Sequence, residues 1–271
     1  MNMTNTELLS LFEKTALGKP FNLSANTVDR YLYYINQLVA VSKKEIVDIK
    51  KADIKMYLMG LDSSDSYYNA NFSAFRTLYK VLSYHPLTEE AFGVDQTFGI
   101  MRIKGAKAEK EQIFLTSYQQ SMLIKYAKNP RTKAILMMYL STGLRAMELI
   151  GLTLNQYINR DVEDGNRIDL TITKGSYARS IYLAQDVVDA IDEYLLVRKD
   201  SLDDNLFISD QGHQMDRSCI SRTIKTVARK SGVFKNDEIA RIANHTCRRS
   251  YSTTMLNEKN VPIDVVAKSL G

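Results

Sequence analysis

The chain has 271 residues, of which 45% are hydrophobic and 25% charged, and its net charge is +5 at pH 7. This composition is typical of a globular protein with a sizeable core, and it excludes a disordered or collagen-like chain. No apolar run is long enough to span a bilayer, and two cysteines provide no disulfide framework. We therefore expect a cytoplasmic protein without a membrane partner, and the basic charge favours a polyanionic partner.

The first hundred residues have the spacing of short amphipathic helices. Apolar residues recur at helical intervals after Leu8, after Val28 and after Ile54, and a fourth such pattern covers residues 71–84. The fourth pattern stops before Pro86, because proline disfavours a helical conformation in the residue that precedes it. The sequence therefore predicts a compact helical domain over residues 1–101.

Residues 102–112 lose this periodicity and carry a cluster of basic side chains that includes Arg102, Lys104 and Lys107. A solvated linker is the simpler interpretation of such a stretch. A basic linker can also lie along a DNA backbone, where it neutralises phosphates. We keep both interpretations and count these three residues as candidate DNA contacts.

Residues 113–271 have the pattern of a second domain that is mainly helical with a small antiparallel sheet. Residues 169–173 and 179–183 read as two strands joined by a Lys-Gly turn at Lys174. A later helix over residues 218–230 carries three basic side chains on one face. Such a face is usually only solvated, but it also fits a DNA groove. The three residues are Arg222, Lys225 and Arg229.

Two arginine motifs lie far apart in this second domain. Arg145 ends the segment Ser141-Thr142-Gly143-Leu144-Arg145 and is followed by Glu148, and Arg248 ends the segment His245-Thr246-Cys247-Arg248. Each residue alone has an ordinary explanation, such as a surface ion pair or a helix cap. Together with Lys174 they suit a phosphate that gains negative charge during a reaction, because guanidinium groups bind phosphate oxygens in a bidentate manner.

These motifs resemble those of the tyrosine recombinase (phage integrase) family over nearly the whole chain. Residues 141–149 resemble the first arginine box, Thr173-Lys174-Gly175 resembles the turn with the catalytic lysine, and residues 245–253 resemble the second box. Residues 23–27 are similar to the start of the family's helical DNA-clamping domain. The resemblance implies an α+β fold, mainly α: an N-terminal helical core-binding (SAM-like) domain and a tyrosine-recombinase catalytic domain that together grip DNA.

The resemblance also implies a role for each matching residue. Arg145 and Arg248 would hold the scissile phosphate, while His245 would assist proton transfer from the nucleophile or donate a hydrogen bond to the phosphate. Lys174 would protonate the departing 5′ oxygen, and Glu148 would orient Arg145. Arg179, beyond the lysine turn, would contact DNA. No metal or other cofactor is implied, and the expected partners are duplex DNA with a specific recombination site and other recombinase protomers.

The family's attacking tyrosine would follow a Leu-Gly-His element, which Ile263 to Gly271 approaches. We therefore expect the nucleophile beyond Gly271, so that residues 1–271 alone neither cleave DNA nor form stable tetramers. Tyr251 is the tyrosine nearest to the second arginine box, and its spacing from Arg248 on one helix is typical of a packing residue.

Two other functions compete with recombination. A non-catalytic DNA-binding paralogue would keep the same fold, and a type IB topoisomerase would use a similar basic set, although the helical N-terminal domain and the compact length argue against it. A metal-dependent nuclease would need clustered carboxylates. The candidates for such a cluster lie in polar, turn-like stretches, where solvated caps are the simpler interpretation; they are Asp161, Glu163, Asp164, Asp203 and Asp204. We expect a cytoplasmic, nucleoid-associated protein.

Overall fold

The computed structural model describes residues 3–104, 113–170 and 179–271. It divides into two compact units, Met1–Lys110 and Glu111–Gly271. The described residues are mainly helical and contain one two-stranded antiparallel sheet, which confirms the expected α+β class. None of the helices in these ranges is long and apolar enough to cross a membrane.

The first unit is a bundle of helices around a core that includes Phe12, Ile35 and Phe75. The fourth predicted helix is longer than its apolar pattern, because Ser64 caps it several residues earlier by accepting a hydrogen bond from the backbone of Tyr67. Its elements are α1 (Asn5–Leu17), α2 (Ala25–Ser42), a 3₁₀ turn (Ile46–Asp48), α3 (Lys51–Met59), α4 (Asp65–Tyr84) and α5 (Glu89–Phe92).

The second unit is built around α7 (Pro130–Thr142), which is buried on nearly all sides and packs against α10 and α13. Its other helices are α6 (Ser117–Tyr126), α8 (Ala146–Gly151), α9 (Leu154–Ile158), α10 (Gln185–Leu195), α11 (Arg217–Ser231), α12 (Asn236–Arg241), α13 (Asn244–Thr253) and α14 (Ile263–Leu270). A π-helical turn (Thr254–Glu258) continues α13. Asp216, two residues before the predicted start of α11, is its cap.

The sheet consists of β1 (Arg167–Leu170) and β2 (Arg179–Tyr182). Ile168 lies opposite Ile181, and both side chains are buried, so one face of the hairpin packs on the core. The strands match the predicted pair, although β1 begins two residues earlier. The predicted turn between them, with Lys174, lies outside the described residues. Arg179 opens β2 and pairs with Leu170, which places it beside the two arginine motifs.

Candidate phosphate-binding site

The first arginine motif forms a sharp turn between α7 and α8. α7 ends at Gly143, whose φ of 61° is in the left-handed region, and Arg145 is the N-cap of α8. A Cβ at Gly143 would lie 2.5 Å from Cδ1 of Tyr251 and 2.8 Å from Cδ2 of Leu270. Glycine therefore satisfies both the backbone conformation and the close approach of α13 and α14.

Arg248 ties the second arginine motif to this turn. Its Nη1 donates to the carbonyl oxygen of Gly143 at 2.6 Å, and its Nη2 donates to that of Leu270 at 2.7 Å. Arg248 thus bridges the end of α7 and the end of α14 from its position on α13. The two arginines, which are 103 positions apart in the sequence, meet at one place in the fold.

Glu148 is the carboxylate at the centre of this cluster. It is buried, and it accepts hydrogen bonds from the backbone nitrogen of Arg145 at 2.7 Å, from Nη1 of Arg145 at 2.8 Å and from Nη2 of Arg179 at 2.5 Å. Burial raises the pKa of this carboxyl, but the hydrogen bonds from Arg145 and Arg179 outweigh burial and lower it below its usual value. Glu148 is therefore ionised at neutral pH and unsuited to act as a general base.

Arg179 does not have the placement that we expected of a DNA contact. Its side chain is 6% exposed, and its Nη1 donates to the carbonyl oxygen of Ser269 while its Nη2 binds Glu148. A buried guanidinium needs a carboxylate partner, and Glu148 is close enough to provide it. The side chain therefore turns inward. Its Nε is buried with no hydrogen-bond partner in the described ranges.

The cluster carries an excess of positive charge, because Glu148 is the one carboxylate bonded to Arg145 and Arg179, and Arg248 lies beside them. Burial, together with the charges of Arg145 and Arg179, lowers the pKa of Arg248 to about 10, so Arg248 remains protonated at neutral pH. Arg145 also donates from Nη2 to the carbonyl oxygen of Gly271 at 2.5 Å. The guanidiniums thus meet the last carbonyls of α14, which are the negative end of that helix.

His245 lies in the first turn of α13 with an exposed side chain. Partial burial lowers the pKa of its imidazole, as do the nearby charges of Arg249, Arg248, Arg217 and, more weakly, Arg145. The imidazole is therefore mainly neutral at pH 7 and able to accept a proton.

Arg217 and Arg249 were not identified from the sequence as part of this site. Both are exposed, and both lower the pKa of His245. Arg249 follows Arg248 directly, which was a usable signal. Arg217 is brought close by a contact between elements, because Nδ2 of Asn244 donates to the carbonyl oxygen of Arg217 at 3.0 Å.

The basic residues of α11 lie on its surface. Arg222 and Arg229 are exposed, while Lys225 donates from Nζ to the carbonyl oxygen of Ala240 at 2.9 Å. We call Arg222, Lys225 and Arg229 the α11 stripe. Its geometry leaves Arg222 and Arg229 open to a ligand of opposite charge.

The remaining basic candidates have other positions. In the first unit, Arg102 donates from Nη2 to Oγ of Ser73 at 2.8 Å, and Lys104 is exposed. Lys107 and Lys174 lie outside the described residues. The roles of both therefore stay predictions.

Tyr251 and the carboxylate candidates Asp161 and Asp164 take part in packing and in ion pairs. Tyr251 is buried beneath Gly143, and its hydroxyl lies 3.4 Å from Oγ of Ser269. Asp161 and Asp164 form ion pairs with Arg167: Oδ2 of Asp161 lies 3.6 Å from its Nη2, and Oδ2 of Asp164 lies 3.3 Å from its Nε. In the part of the chain that the structure describes, no group of three His, Cys, Asp or Glu side chains is placed to hold a metal ion.

Comparison with known proteins places both units in one family. Residues 113–271 match the sequence profile of the phage integrase family, and residues 12–89 match that of the phage integrase N-terminal SAM-like domain. The chain is 25% identical to tyrosine recombinase XerD of Halalkalibacterium halodurans over 96% of its own length and 86% of that protein. It is 26% identical to tyrosine recombinase XerC of Lactobacillus leichmannii over 77% of its length and 70% of that protein.

The fold is also similar to that of a solved recombinase assembly. A lambda integrase tetramer bound to a Holliday junction matches with a TM-score of 0.70 at 15% identity, over 99% of this chain and 77% of that one. At this identity the likeness shows the fold alone. The family profiles together cover most of the chain, including both arginine motifs. The protein is therefore a member of the phage integrase family of tyrosine recombinases, DNA-cleaving and rejoining enzymes, as its motifs predicted.

Proposed function

We propose that this protein is a site-specific recombinase that holds the scissile phosphate of duplex DNA between Arg145 and Arg248. One observation carries the proposal: Arg145 and Arg248 converge with Arg179 around a single buried carboxylate, Glu148. The resulting excess of positive charge matches a phosphodiester, which is an anion, and matches even better a transition state with more charge on its non-bridging oxygens.

The reaction that fits this site is a transfer of the phosphoryl group from DNA to a tyrosine and back. The tyrosine oxygen attacks phosphorus, the bond to the 5′ oxygen breaks, and a 3′ phosphotyrosine forms. Neutral His245 takes up the tyrosine proton, and Lys174 supplies a proton to the 5′ oxygen. A free 5′ hydroxyl of a partner strand then reverses the step, so no phosphodiester is lost overall. Each preorganised arginine is expected to contribute ~10²–10³ in rate.

The attacking tyrosine in this proposal is not Tyr251 and lies outside residues 1–271. Tyr251 is 9% exposed, its ring packs against the Gly143 turn, and its hydroxyl faces Ser269. Tyr251 is therefore assigned a packing role.

The proposed partners are duplex DNA with a recombination site and other copies of the recombinase. The α11 stripe supports DNA binding, because its exposed arginines can neutralise backbone phosphates. The similar lambda integrase assembly is a tetramer on a Holliday junction, and a Xer recombinase of the same fold is bound to its DNA substrate. The first supports assembly with other protomers, and the second supports binding to a DNA recombination site.

The test is a covalent-trapping experiment with a nicked duplex that carries the protein's recombination site. Residues 1–271 should bind this duplex without forming a covalent adduct, and the reading frame extended downstream should form one. Arg145→Ala in the extended protein should abolish the adduct while largely preserving binding. If Arg145→Ala left adduct formation unchanged, Arg145 would have no catalytic role.

Two further outcomes would separate the alternatives. An adduct formed by residues 1–271 and lost in Tyr251→Phe, but not in the exposed control Tyr182→Phe, would show that Tyr251 is the nucleophile. Binding with no adduct from the extended protein would favour a non-catalytic, architectural DNA-binding protein.

A further inference from the structure

Arg145 and Arg179 divide the two oxygens of Glu148 between them. Oε1 accepts from Nη1 of Arg145 at 2.8 Å, while Oε2 accepts from Nη2 of Arg179 at 2.5 Å and from the backbone nitrogen of Arg145 at 2.7 Å. The second terminal nitrogen of Arg145, Nη2, therefore does not bind Glu148. It donates to the carbonyl oxygen of Gly271 at 2.5 Å.

This division is not the arrangement that an isolated pair prefers. A guanidinium and a carboxylate commonly form two parallel hydrogen bonds, which would use both terminal nitrogens of Arg145 or one with Nε. Arg179 occupies the oxygen that the second bond needs. Arg145 is thereby kept to a single side-chain bond with Glu148, and its Nη2 is left to another acceptor, the carbonyl oxygen of Gly271.

Arg179 itself is held away from any external ligand. Its side chain is 6% exposed, and its terminal nitrogens are engaged by Ser269 and Glu148. Its charge still counts, because it offsets the charge of Glu148 that would otherwise neutralise Arg145. Both effects keep Nη2 of Arg145 off Glu148, so that its acceptor is the carbonyl oxygen of Gly271, and leave a net positive field for an anion.

We propose that Arg179 is a positioning residue: it occupies Oε2 of Glu148 and thereby keeps Nη2 of Arg145 off that carboxylate, so that a DNA phosphate can replace the carbonyl oxygen of Gly271 as the acceptor of Nη2. The inference rests on the proposed function, since it assumes that the phosphate binds Arg145. It differs from a direct role for Arg179 in DNA binding in one respect: the effect of Arg179 must pass through Glu148.

The experiment is a double-mutant cycle of Arg179→Gln and Glu148→Gln on the full chain. The probe is a labelled duplex of about three helical turns and mixed sequence, and its affinity is measured at several salt concentrations. Arg179→Gln should lower the affinity about tenfold. It should also reduce the slope of log affinity against log salt by ~0.9, the share of one phosphate contact. Adding Arg179→Gln to Glu148→Gln should leave the slope unchanged and lower the affinity much less than tenfold, because no carboxylate remains to capture Arg145 and only the charge of Arg179 is lost.

The exposed Arg222 provides the matched control. Arg222→Gln should lower the affinity by the same factor in the wild type and in the Glu148→Gln variant, as expected of a direct phosphate contact that is independent of Glu148. Arg179→Lys keeps a donor and a charge for Oε2, so it should retain the wild-type salt slope. Should Arg179→Gln alone fail to fold, the comparison of Glu148→Gln with the double variant still decides the question.

Three results would contradict the inference. Equal losses from Arg179→Gln in both backgrounds would make Arg179 a direct DNA contact. An unchanged affinity and slope in folded Arg179→Gln would leave it a structural role only. A wild-type chain with no salt-dependent affinity for duplex DNA would overturn the proposed function, and this inference with it.

Discussion

The Glu148 cluster and the α11 stripe use the same residue type in opposite environments. In the cluster, Arg179 is 6% exposed and hydrogen-bonded to a buried carboxylate, and Arg145 and Arg248 bind backbone carbonyls at 2.5–2.7 Å. In the stripe, Arg222 and Arg229 are exposed. The first arginines are held in place before any ligand arrives, while those of the stripe keep their rotamer freedom.

The difference explains why the two regions suit different tasks. Preorganised, partly desolvated charges interact strongly with charge that develops in a reaction, and little reorganisation is needed at that moment. Solvated charges contribute to affinity and association rate, and salt screens them readily. The cluster is therefore the region where a single substitution should have large effects on stability, and the stripe the region where effects should be small and salt-dependent.

The largest effect is expected for Glu148→Ala. Removing this carboxylate leaves Arg145 and Arg179 without their counter-charge, and breaking such a buried pair costs about 3–5 kcal/mol of the free energy of unfolding. Urea unfolding followed by far-UV circular dichroism measures it. The control is Glu193→Ala, whose exposed pair with Lys133 is expected to contribute about 0–1 kcal/mol. Equal losses in the two variants would remove the contrast between buried and exposed pairs.

The depressed pKa of Glu148 adds a pH dependence to the same comparison. Since the folded state holds this carboxyl below its usual pKa of 4.5, its stabilisation is present above that pH and is lost as the pH falls through the lower, folded value. The stability difference between the wild type and Glu148→Ala should therefore shrink in acid.

Gly143→Ala should have the next largest effect. The substitution adds left-handed strain and a Cβ that meets Tyr251 at 2.5 Å. Gly232→Ala is a matched control, since Gly232 also has a positive φ but nothing lies within 4 Å of its Cβ position. We expect Gly143→Ala to lose about 1–3 kcal/mol more than Gly232→Ala in the same unfolding experiment. Similar losses of unfolding free energy in the two variants would show that the close packing of α13 on the Gly143 turn does not contribute to stability.

His245 should make DNA binding depend on pH. Burial and nearby arginines lower its pKa below the usual 6.5 in the free protein, and a bound phosphate would offset those cations and raise it. Binding then takes up a proton, so affinity should rise as the pH falls through this window, by at most about tenfold per unit. Titrations with labelled DNA at several pH values measure the affinity, and His245→Gln should make the affinity depend less on pH. If the substitution left the pH dependence of the affinity unchanged, His245 would not interact with the bound phosphate.

The smallest effect is expected for Arg222→Gln in the α11 stripe. Loss of one exposed phosphate contact should reduce the salt slope of DNA binding by ~0.9 and leave the free energy of unfolding nearly unchanged. Lys133→Gln, which removes an exposed charge paired with Glu193, serves as the control. A large loss of stability in Arg222→Gln would show that the stripe is part of the structural core.

Much of the fold followed from local patterns. Helices α1 to α4, the end of α4 before Pro86 and the pairing of β1 with β2 were predicted, because apolar periodicity and proline act within a few residues. Short elements such as α9 and α12 were not, since they are too short to show periodicity. The start of α4 was misjudged because its first turns lack a clear apolar pattern.

The sequence by itself determined the family and the identity of Arg145, His245 and Arg248 as a candidate set, because each lies in a recognisable local motif. Only the tertiary structure decided how these residues share charge. The inward turn of Arg179, its bond to Glu148 and the contribution of Arg217 to His245 join elements far apart in the chain. Such contacts depend on distance and burial, which set the strength of charge interactions and which no local pattern encodes.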